Sequence, residues 1–488
     1  MDPSCACAAQ ALTVRKGDNY IRDSRIAGPE LANAPRPKPR AQTRWLGVAT
    51  RPDRPAGAIF LAVASAVKPY RPRGVRVGTL SALLVLWSSA VCRRAVAQES
   101  PYFLTYDHYL EEKGNLELEY VSTFGTQRAG HAFHAFWAEF DYGATGWWTT
   151  ELYLDGQTTF SDGTLFTGFR WENRFRPLAH EHFINPIIYI EYEQLNGADK
   201  ILKEVEGHDV ESDYGERNAV LRQEHKHELE LKLLLSKSFQ GWNVAVNPLM
   251  GKNLSPGNNP WEFGYALGVS RPLALKASPT RCTFCPENFI LGVELYGGLG
   301  DAQAFGLSGT SHYLAPAAAW NLPSGWTLRA STAFGLNQNS HRALVRWAVS
   351  REVSGFGDMV GRLFGGRGGP RADSVGRGDL HGSHDHYAEL ATAPAHAAAE
   401  RNPLEKDPDA VAAGGKLFEQ HCAECHGERG EGTRRGPSLM EEPVRQATPG
   451  ALFWILTNGV VRRGMPDWSK LPELERWQIV TFLKAHHE

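Results

Sequence analysis

Two cysteines and a histidine near the C-terminus have a spacing that could carry redox chemistry. They form the run Cys422-Ala-Glu-Cys425-His426. Thiols at this spacing can each add to a vinyl group of haem, and the histidine that follows is then held beneath the iron as an axial ligand. A chance match or a redox-active dithiol would show the same residues. A second ligand and a haem-sized domain must therefore decide between these interpretations.

A methionine downstream could supply the second axial ligand. Met465 lies in the run Arg463-Gly-Met465-Pro-Asp-Trp468, after an apolar segment. Ligation by methionine and histidine raises the potential of an electron-transfer haem. Pro437, in Arg435-Gly-Pro437-Ser-Leu439, lies between the two ligands along the chain. The alternative is that Met465 only fills a gap in a helical core.

Three predicted helices would surround this site. The first spans residues 410–422, and the second spans 449–458 and ends at Gly459. In the third, apolar residues recur at steps of three and four, which is the period of a helix with one buried face. These residues are Leu474, Trp477, Ile479, Val480 and Leu483. We therefore expect a small all-α domain whose helices face the haem.

With its motifs in this order, the segment 409–488 resembles a class I mono-haem cytochrome c. The resemblance implies that Cys422 and Cys425 are the thioether anchors of one covalent haem c. It implies His426 and Met465 as the axial iron ligands, and Pro437 as the residue whose carbonyl orients the His426 ring. Such a domain is an electron-transfer protein with periplasmic redox proteins as partners, and is not a hydrolytic or group-transfer enzyme. Whether it acts as a terminal oxidoreductase for an external donor stays open.

Length and composition indicate a multidomain, exported protein. The chain has 488 residues, of which 42% are hydrophobic, so it has room for more than one domain. Its net charge of −2 gives no argument for a nucleic-acid partner. A covalent haem and a cysteine pair suited to a disulfide both indicate an oxidising compartment.

The first 97 residues contain two different segments. Residues 1–73 are rich in Arg and Pro without a lasting apolar period, which predicts disorder or a wrongly assigned start. Residues 74–97 have a basic flank, about twelve apolar residues and the cleavage pattern Ala95-Val-Ala97. They predict a secretory signal that is too short to span a membrane. Because signals begin at the N-terminus, we hypothesise that translation starts near Val75 or Val77.

Residues 98–354 alternate repeatedly between apolar and polar side chains. In Leu116-Glu-Leu-Glu-Tyr120 the leucines and the tyrosine share one face, and the glutamates lie on the other. About twelve such segments occur, most of them near the ~9–11 residues that a tilted strand needs to cross a bilayer. They predict an all-β transmembrane antiparallel barrel in the bacterial outer membrane.

A soluble β-sandwich would show the same alternation of apolar and polar residues. The lengths of the connections must therefore distinguish a sandwich from a barrel. Outer-membrane barrels combine short periplasmic turns with long outward loops. Short connections are predicted at 143–146, 239–242 and 322–325, and long ones at 196–226, 252–260 and 300–311. Only the connection 271–288 is longer than expected for its side. The pattern favours a barrel, which resembles outer-membrane channel proteins only generically because it has no diagnostic motif.

The face opposite the aromatic side chains is predicted to line the barrel lumen, and it is mostly acidic. An acidic lumen would favour a small cationic solute or a metal ion, while lipid surrounds the outer face. The alternative is that the carboxylates pair with the arginines as a polar filling. The predicted lumen residues are Glu117, Glu119, Glu139, Asp141, Glu151, Asp155, Arg170, Glu172, Arg174, Glu191, Glu193, Glu228, Glu230, Glu262, Glu294 and Arg346.

A second cysteine pair and a linker complete the chain. Cys282-Thr-Phe-Cys285 is followed by Pro286 instead of histidine, which favours a disulfide over a metal or redox pair. Residues 355–408 are Gly-rich and then His-rich, which predicts a flexible linker. The histidines at 381, 384 and 386 could capture a transition metal, although the linker offers no fixed scaffold. Since an even-stranded barrel returns to the side where it began, the linker would place the haem domain in the periplasm or in the lumen.

The layout as a whole is similar to the fused cytochrome–porins of iron-oxidising bacteria. It departs from them because the haem domain follows the barrel and the barrel is smaller, which puts ferrous iron as the electron donor in doubt. We therefore predict electron transfer at the outer membrane through a haem tethered to a barrel. The alternatives are a solute or cation channel with a periplasmic redox module, and a barrel that acts only as a membrane anchor.

Overall fold

The computed structural model describes residues 99–128, 131–201, 217–223, 225–257, 259–364 and 385–486. The predicted N-terminal extension 1–73 and signal 74–97 lie outside the described residues, as do His381 and His384. Among the described residues, no helix has the length and apolar character needed to cross a membrane.

Twelve antiparallel strands close into a barrel, in which each strand pairs with its neighbour in the chain and β1 pairs with β12. This confirms the predicted fold class. The strands are β1 Leu116–Thr126, β2 Phe133–Thr145, β3 Trp148–Thr159, β4 Gly163–Phe175, β5 Asn185–Asn196, β6 His225–Phe239, β7 Trp242–Asn253, β8 Trp261–Pro272, β9 Phe289–Asp301, β10 His312–Asn321, β11 Trp326–Gly335 and β12 Ala343–Val353.

The alternation in each strand separates an apolar outer face from a polar inner face. On β1, Leu118 and Tyr120 are exposed while Glu117 and Glu119 are buried. Burying carboxylates and exposing leucine is the reverse of a water-soluble sheet, and it fits a barrel surrounded by lipid. All the predicted lumen residues are buried or half-buried. The exposed outer side chains include Phe124, Phe140, Leu152, Leu154, Trp171, Ile188, Ile190, Leu233, Val246, Val269, Leu291, Val293, Leu314, Leu328, Val345 and Trp347.

The connections differ between the two ends of the barrel, as predicted. The end at which the barrel chain enters and leaves has the short connections 146–147, 240–241 and 322–325. The other end has one short turn, 160–162, and otherwise longer connections, such as 197–224 and 302–311. The connection 197–224 contains the short helix α1, Asn218–Leu221. Two connections at the entry end are long, namely 273–288, which the sequence indicated, and 176–184, which it did not.

Residues 99–115, here called the interior segment, run inside the barrel. The predicted barrel domain began at residue 98, but the wall begins only with β1 at Leu116. The Glu294 carboxylate accepts hydrogen bonds from the backbone N–H groups of Phe103, Leu104 and Thr105, at 3.0, 2.9 and 2.8 Å. Asn247 accepts from the backbone N–H of Tyr106 at 2.6 Å and donates to its carbonyl at 3.0 Å. Lumen side chains thus replace the strand partners that this backbone would otherwise need.

Ion pairs fill much of the remaining lumen. Arg170 lies 3.1 Å from Asp155, and Arg174 lies 3.2 Å from Glu172 and also pairs with Glu151. These contacts bear out the alternative of a polar filling for these residues. The interior segment and the lumen carboxylates still enclose a cavity of about 180 Å³.

The C-terminal domain is helical, as predicted, with a core formed by three helices. After the barrel come α2 Phe356–Phe364, a 3-10 helix Asp385–Thr392, α3 Ala395–Ala398, α4 Pro408–His421, α5 Ala423–His426, α6 Glu442–Gln446, α7 Pro449–Asn458 and α8 Glu473–Ala485. Helices α4 and α8 pack closely because Gly414 has no side chain: a Cβ there would lie 1.9 Å from the Gln478 carbonyl oxygen. Phe453 of α7 stacks on Trp477 of α8 with ring centroids 4.0 Å apart.

The second half of the predicted linker is part of the helical domain. The Tyr387 hydroxyl donates to the Ser438 carbonyl at 2.7 Å, and Asn402 donates to Thr481 at 2.8 Å. Leu390 and Leu404 pack against the core of the domain. The prediction of a flexible tether is therefore wrong for residues 385–408, because they cover apolar surface that the three core helices leave open.

Candidate haem site

The five predicted site residues meet around one cavity. It has a volume of about 1210 Å³, and Cys422, Cys425, His426, Pro437 and Met465 all line it. This is larger than the ~300–1,000 Å³ of ordinary ligand pockets, so it has room for a macrocycle. The remaining walls are largely apolar and include Phe418, Leu439, Val444, Leu452, Ile455, Leu456, Trp468, Ile479 and Leu483.

The end of α4 and the single turn of α5 position the cysteines and the histidine. The backbone N–H of His426 donates to the Cys422 carbonyl at 2.9 Å, and the side chains of Cys422, Cys425 and His426 all line the cavity. His426 Nδ1 lies 2.8 Å from the Pro437 carbonyl oxygen, the contact that the resemblance implied. Burial lowers the pKa of His426, although the hydrogen bond to Pro437 opposes this shift. A neutral ring that donates from Nδ1 keeps the lone pair of Nε2 free for a metal.

The two thiols are not bonded to each other. Burial, with a contribution from the Glu112 carboxylate, raises the pKa of both thiols. The pKa of Cys425 is raised to about 12. Reactive dithiols usually have lowered pKa values, and the shift at these two thiols has the opposite direction. A buried pair of neutral thiols beside an apolar cavity fits attachment to a hydrophobic cofactor.

A short loop after α7 presents Met465 to the cavity. Val460 and Met465 pair through their backbones, with hydrogen bonds of 3.0 and 3.3 Å. Gly459 begins the loop with a φ of 65°, and a Cβ there would lie 2.5 Å from the Pro466 backbone. Only glycine fits such a close approach in this conformation. The backbone N–H of Trp468 donates to the Leu456 carbonyl at 2.8 Å, which connects the end of the loop to α7.

Residues from the barrel and the interior segment also line the cavity, and sequence reasoning missed them. They are Glu112, Lys113, Gly114, Tyr142, Ala144, Gly355, Gly357 and Asp358. They lie about 300 positions before the haem motif or directly after the barrel, and no local pattern links them to it. His421, directly before Cys422, was also passed over. Burial lowers its pKa to about 3, so this cavity residue is neutral.

The helical domain lies against the entry end of the barrel, through contacts spread over its surface. Arg435 donates to the Lys113 carbonyl at 2.7 Å and to Asn115 Oδ1 at 2.9 Å. The connection 273–288 supplies the Lys416–Glu287 ion pair at 3.0 Å. The same connection contains the disulfide between Cys282 and Cys285, which confirms that prediction.

Comparisons with known proteins support the helical domain. Residues 409–483 match the family model of "Cytochrome C oxidase, cbb3-type, subunit III". No curated protein matches the sequence of this chain.

Solved structures with barrels resemble this chain only weakly. The KdgM porin in complex with disordered oligogalacturonate is 7% identical, with 49% of this chain and 98% of that chain covered and a TM-score of 0.29. The translocator domain of the autotransporter NalP from Neisseria meningitidis is 11% identical, with 49% and 87% covered and a TM-score of 0.27. OccAB3 from Acinetobacter baumannii is 8% identical, with 50% and 99% covered and a TM-score of 0.24. At these TM-scores the resemblance carries no functional information.

The strand pairing and the family match show that this chain joins a closed twelve-stranded antiparallel barrel to a C-terminal cytochrome c domain, a layout that fits the fused cytochrome–porins.

Proposed function

We propose that this protein transfers electrons at the bacterial outer membrane through one c-type haem. Cys422 and Cys425 would attach the haem covalently, and His426 and Met465 would ligate its iron. The buried neutral thiols, the His426–Pro437 hydrogen bond and the large apolar cavity support this assignment. A haem held in this way supplies reversible one-electron chemistry between ferric and ferrous iron.

The outer surface of the barrel supports its location in the outer membrane. Its strands are 10 to 15 residues long and expose leucine, valine, isoleucine and aromatic side chains. Long loops of such barrels face outward and short turns face the periplasm. The cytochrome domain contacts the end with the short turns, so it would lie in the periplasm, where redox proteins could reach it.

One observation favours electron transfer between the barrel and the haem site over a barrel that is only an anchor. Glu112 of the interior segment lines both the haem cavity and the lumen cavity. The two cavities therefore share Glu112 in their walls, and a donor that reaches the lumen cavity would lie near the haem cavity. An anchor would not require the two cavities to share a wall residue.

A second candidate, cation passage through the barrel, rests on the arrangement of the carboxylates. Acidic residues pair directly across six neighbouring strands, in the order Glu117, Asp141, Glu151, Glu172, Glu191 and Glu230. Like charges directly opposite each other are unfavourable. Arg174 offsets part of this repulsion at Glu151 and Glu172, and a cation in the lumen would relieve the rest. A small cationic solute or a metal ion would then be the partner of the barrel, and the cytochrome would serve periplasmic redox proteins.

Covalent haem attachment is the direct test of the proposed function. The full chain, produced in cells that mature c-type cytochromes, should keep its haem through denaturing electrophoresis, at one haem per chain. The Cys422→Ala, Cys425→Ala double variant should lose the haem while the barrel still folds. A wild-type chain that releases its haem on denaturation, or never binds it, would contradict the proposal.

A further inference from the structure

The loop that carries Met465 is joined to the barrel by a buried ion pair. Asp467, two residues after Met465, pairs with Arg176, and their side chains are only 3% and 4% exposed. Arg176 follows β4 directly. Its backbone N–H donates to the Trp147 carbonyl at 2.9 Å, and its Nε donates to the Leu178 carbonyl at 3.1 Å. The barrel therefore holds this guanidinium in place before it meets the cytochrome.

Glu181 of the same connection, 176–184, contacts the haem domain at two further points. Its carboxylate accepts a hydrogen bond from Ser469 at 2.8 Å, and its backbone N–H donates to Asn458 Oδ1 at 2.9 Å. Glu181 is fixed from the barrel side by Lys237 at 3.0 Å and by His108 of the interior segment at 2.7 Å. These contacts reach both the last residue of α7 and the end of the Met465 loop.

The barrel also approaches the part of the loop that precedes Met465. A Cβ at Gly146, in the connection between β2 and β3, would lie 2.1 Å from the Val461 carbonyl oxygen. A Cβ at Gly464 would lie 2.8 Å from Cδ of Lys113 in the interior segment. Met465 is thus flanked on both sides, along the chain, by residues in contact with the barrel.

These contacts matter because the loop has little regular structure of its own. Between α7 and α8 its regular hydrogen bonding consists of one 3-10 turn, Val461–Arg463, the Val460–Met465 bridge, and a turn in which the Leu471 backbone N–H donates to the Trp468 carbonyl. Removing one partner of a buried ion pair leaves the other charge buried and uncompensated, which is strongly unfavourable. Loss of Arg176 would therefore push Asp467 toward water and displace Met465, two residues before it.

We propose that Arg176, a residue of the barrel, is a positioning residue for the haem ligand Met465 and acts through Asp467. Docking to the barrel would then determine whether methionine occupies the sixth coordination position. The inference rests on the proposed function, in which Met465 is an axial ligand. It assigns to the barrel a role in setting the properties of the haem, beyond holding the domain at the membrane.

The test compares full-length variants purified with their haem. Arg176→Gln removes the charge, and Arg176→Lys keeps it. Asp467→Asn breaks the same pair from the cytochrome side, which leaves the barrel sequence intact. Lys276→Gln is the matched control, because it breaks another ion pair between barrel and cytochrome, with Asp407, at the start of α4. The readouts are the weak far-red absorption band of methionine bound to ferric haem, carbon monoxide binding to ferrous haem, and the midpoint potential.

Arg176→Gln and Asp467→Asn should lose the far-red band, bind carbon monoxide and have a lower potential, with haem content unchanged. Arg176→Lys should retain part of the band, and Lys276→Gln should match the wild type. If both Arg176→Gln and Asp467→Asn keep the band and exclude carbon monoxide, the inference is wrong while the proposed function stands. If the wild type carries no covalent haem, the proposed function itself is wrong.

Discussion

Glu475 of α8 is a carboxyl group buried beside the interface between the cytochrome domain and the barrel. Glu475 is only 3% exposed. Burial raises its pKa from the ordinary 4.5 to about 8, while nearby Lys416 opposes the shift and Glu287 adds to it. The group is therefore neutral in the folded protein at pH 7 but ionised in the unfolded chain.

The raised pKa of Glu475 predicts a pH-dependent stability. Because the pKa of Glu475 is higher in the folded state, this group contributes its full stability below pH 4.5. The contribution is lost between pH 4.5 and about 8, where only the unfolded chain ionises. The slope is about 1.4 kcal/mol per pH unit for one group. Glu475→Gln should remove this pH-dependent loss of stability. The thermal midpoint of the variant should therefore exceed that of the wild type by an amount that grows from pH 5 to pH 8, the range set by the pKa shift. Glu473→Gln, the same change at an exposed position of α8, should follow the wild type. Equal pH dependence in both variants would contradict the assignment.

At the residue scale, the predicted site residues line one cavity, because they lie within 44 positions of one another along the chain, from 422 to 465. Their spacing reflects local turns within one small domain, which a sequence motif records directly. Arg176, Glu112 and Lys113 could not be predicted in this way. They reach the site only through the closure of the barrel and the docking of the domain.

Among the elements, the interior segment determines how much of the lumen is free. Three backbone N–H groups of this segment donate to Glu294, and hydrogen bonds to a charged group contribute about 1.5–3 kcal/mol each. Glu294→Ala should loosen the segment and raise the single-channel conductance of the barrel in planar bilayers. Glu193→Ala is the control, because Glu193 is a buried lumen carboxylate whose Oε2 has no hydrogen-bond partner among the described residues. A conductance raised equally in both variants would show that lumen charge, and not the segment, limits the current.

Helix α8 contacts the connection 273–288 through the side chain of Gln478. Gln478, which is fully buried, accepts from the Ala277 N–H at 3.0 Å and donates to its carbonyl at 2.9 Å. Gln478→Ala would leave both backbone groups unpaired, at a cost of about 1–3 kcal/mol for each. We expect faster hydrogen exchange in 273–288, measured by mass spectrometry. Gln446→Ala, which removes the same side chain from an exposed site on α6, should leave this exchange unchanged. Unchanged exchange in Gln478→Ala would argue against a firmly docked domain.

The strands were predictable because an apolar outer face and a polar inner face produce a period of two in every strand. The interior segment escaped prediction because its backbone bonds to side chains such as Glu294 and Asn247, which leaves no regular pattern in its own sequence. Residues 385–408 escaped for a different reason. Their composition is that of a linker, and only the tertiary contacts of Tyr387, Leu390 and Leu404 place them on the domain.

At the scale of the whole molecule, the described residues of the cytochrome domain and of the barrel belong to one compact unit. The haem cavity is completed by barrel residues, the Met465 loop is held by Arg176 and Glu181, and Glu112 lines both the lumen cavity and the haem cavity. A domain that served only as a mobile periplasmic carrier would need none of these contacts. Under the proposed function, the barrel and the cytochrome would act together to pass electrons across the membrane.

The most direct test uses the full chain with its haem in sealed lipid vesicles. Protease added outside removes the cytochrome domains that face outward, which leaves those enclosed in the vesicle. Ferrous ions are then added outside, and the absorbance of reduced haem is followed before and after detergent opens the vesicles. If the barrel and the cytochrome pass electrons together, enclosed haem should be reduced at once and detergent should add little. Reduction that begins only after the vesicles are opened would contradict joint electron transfer, and would leave the cytochrome as a redox module whose barrel has a separate function.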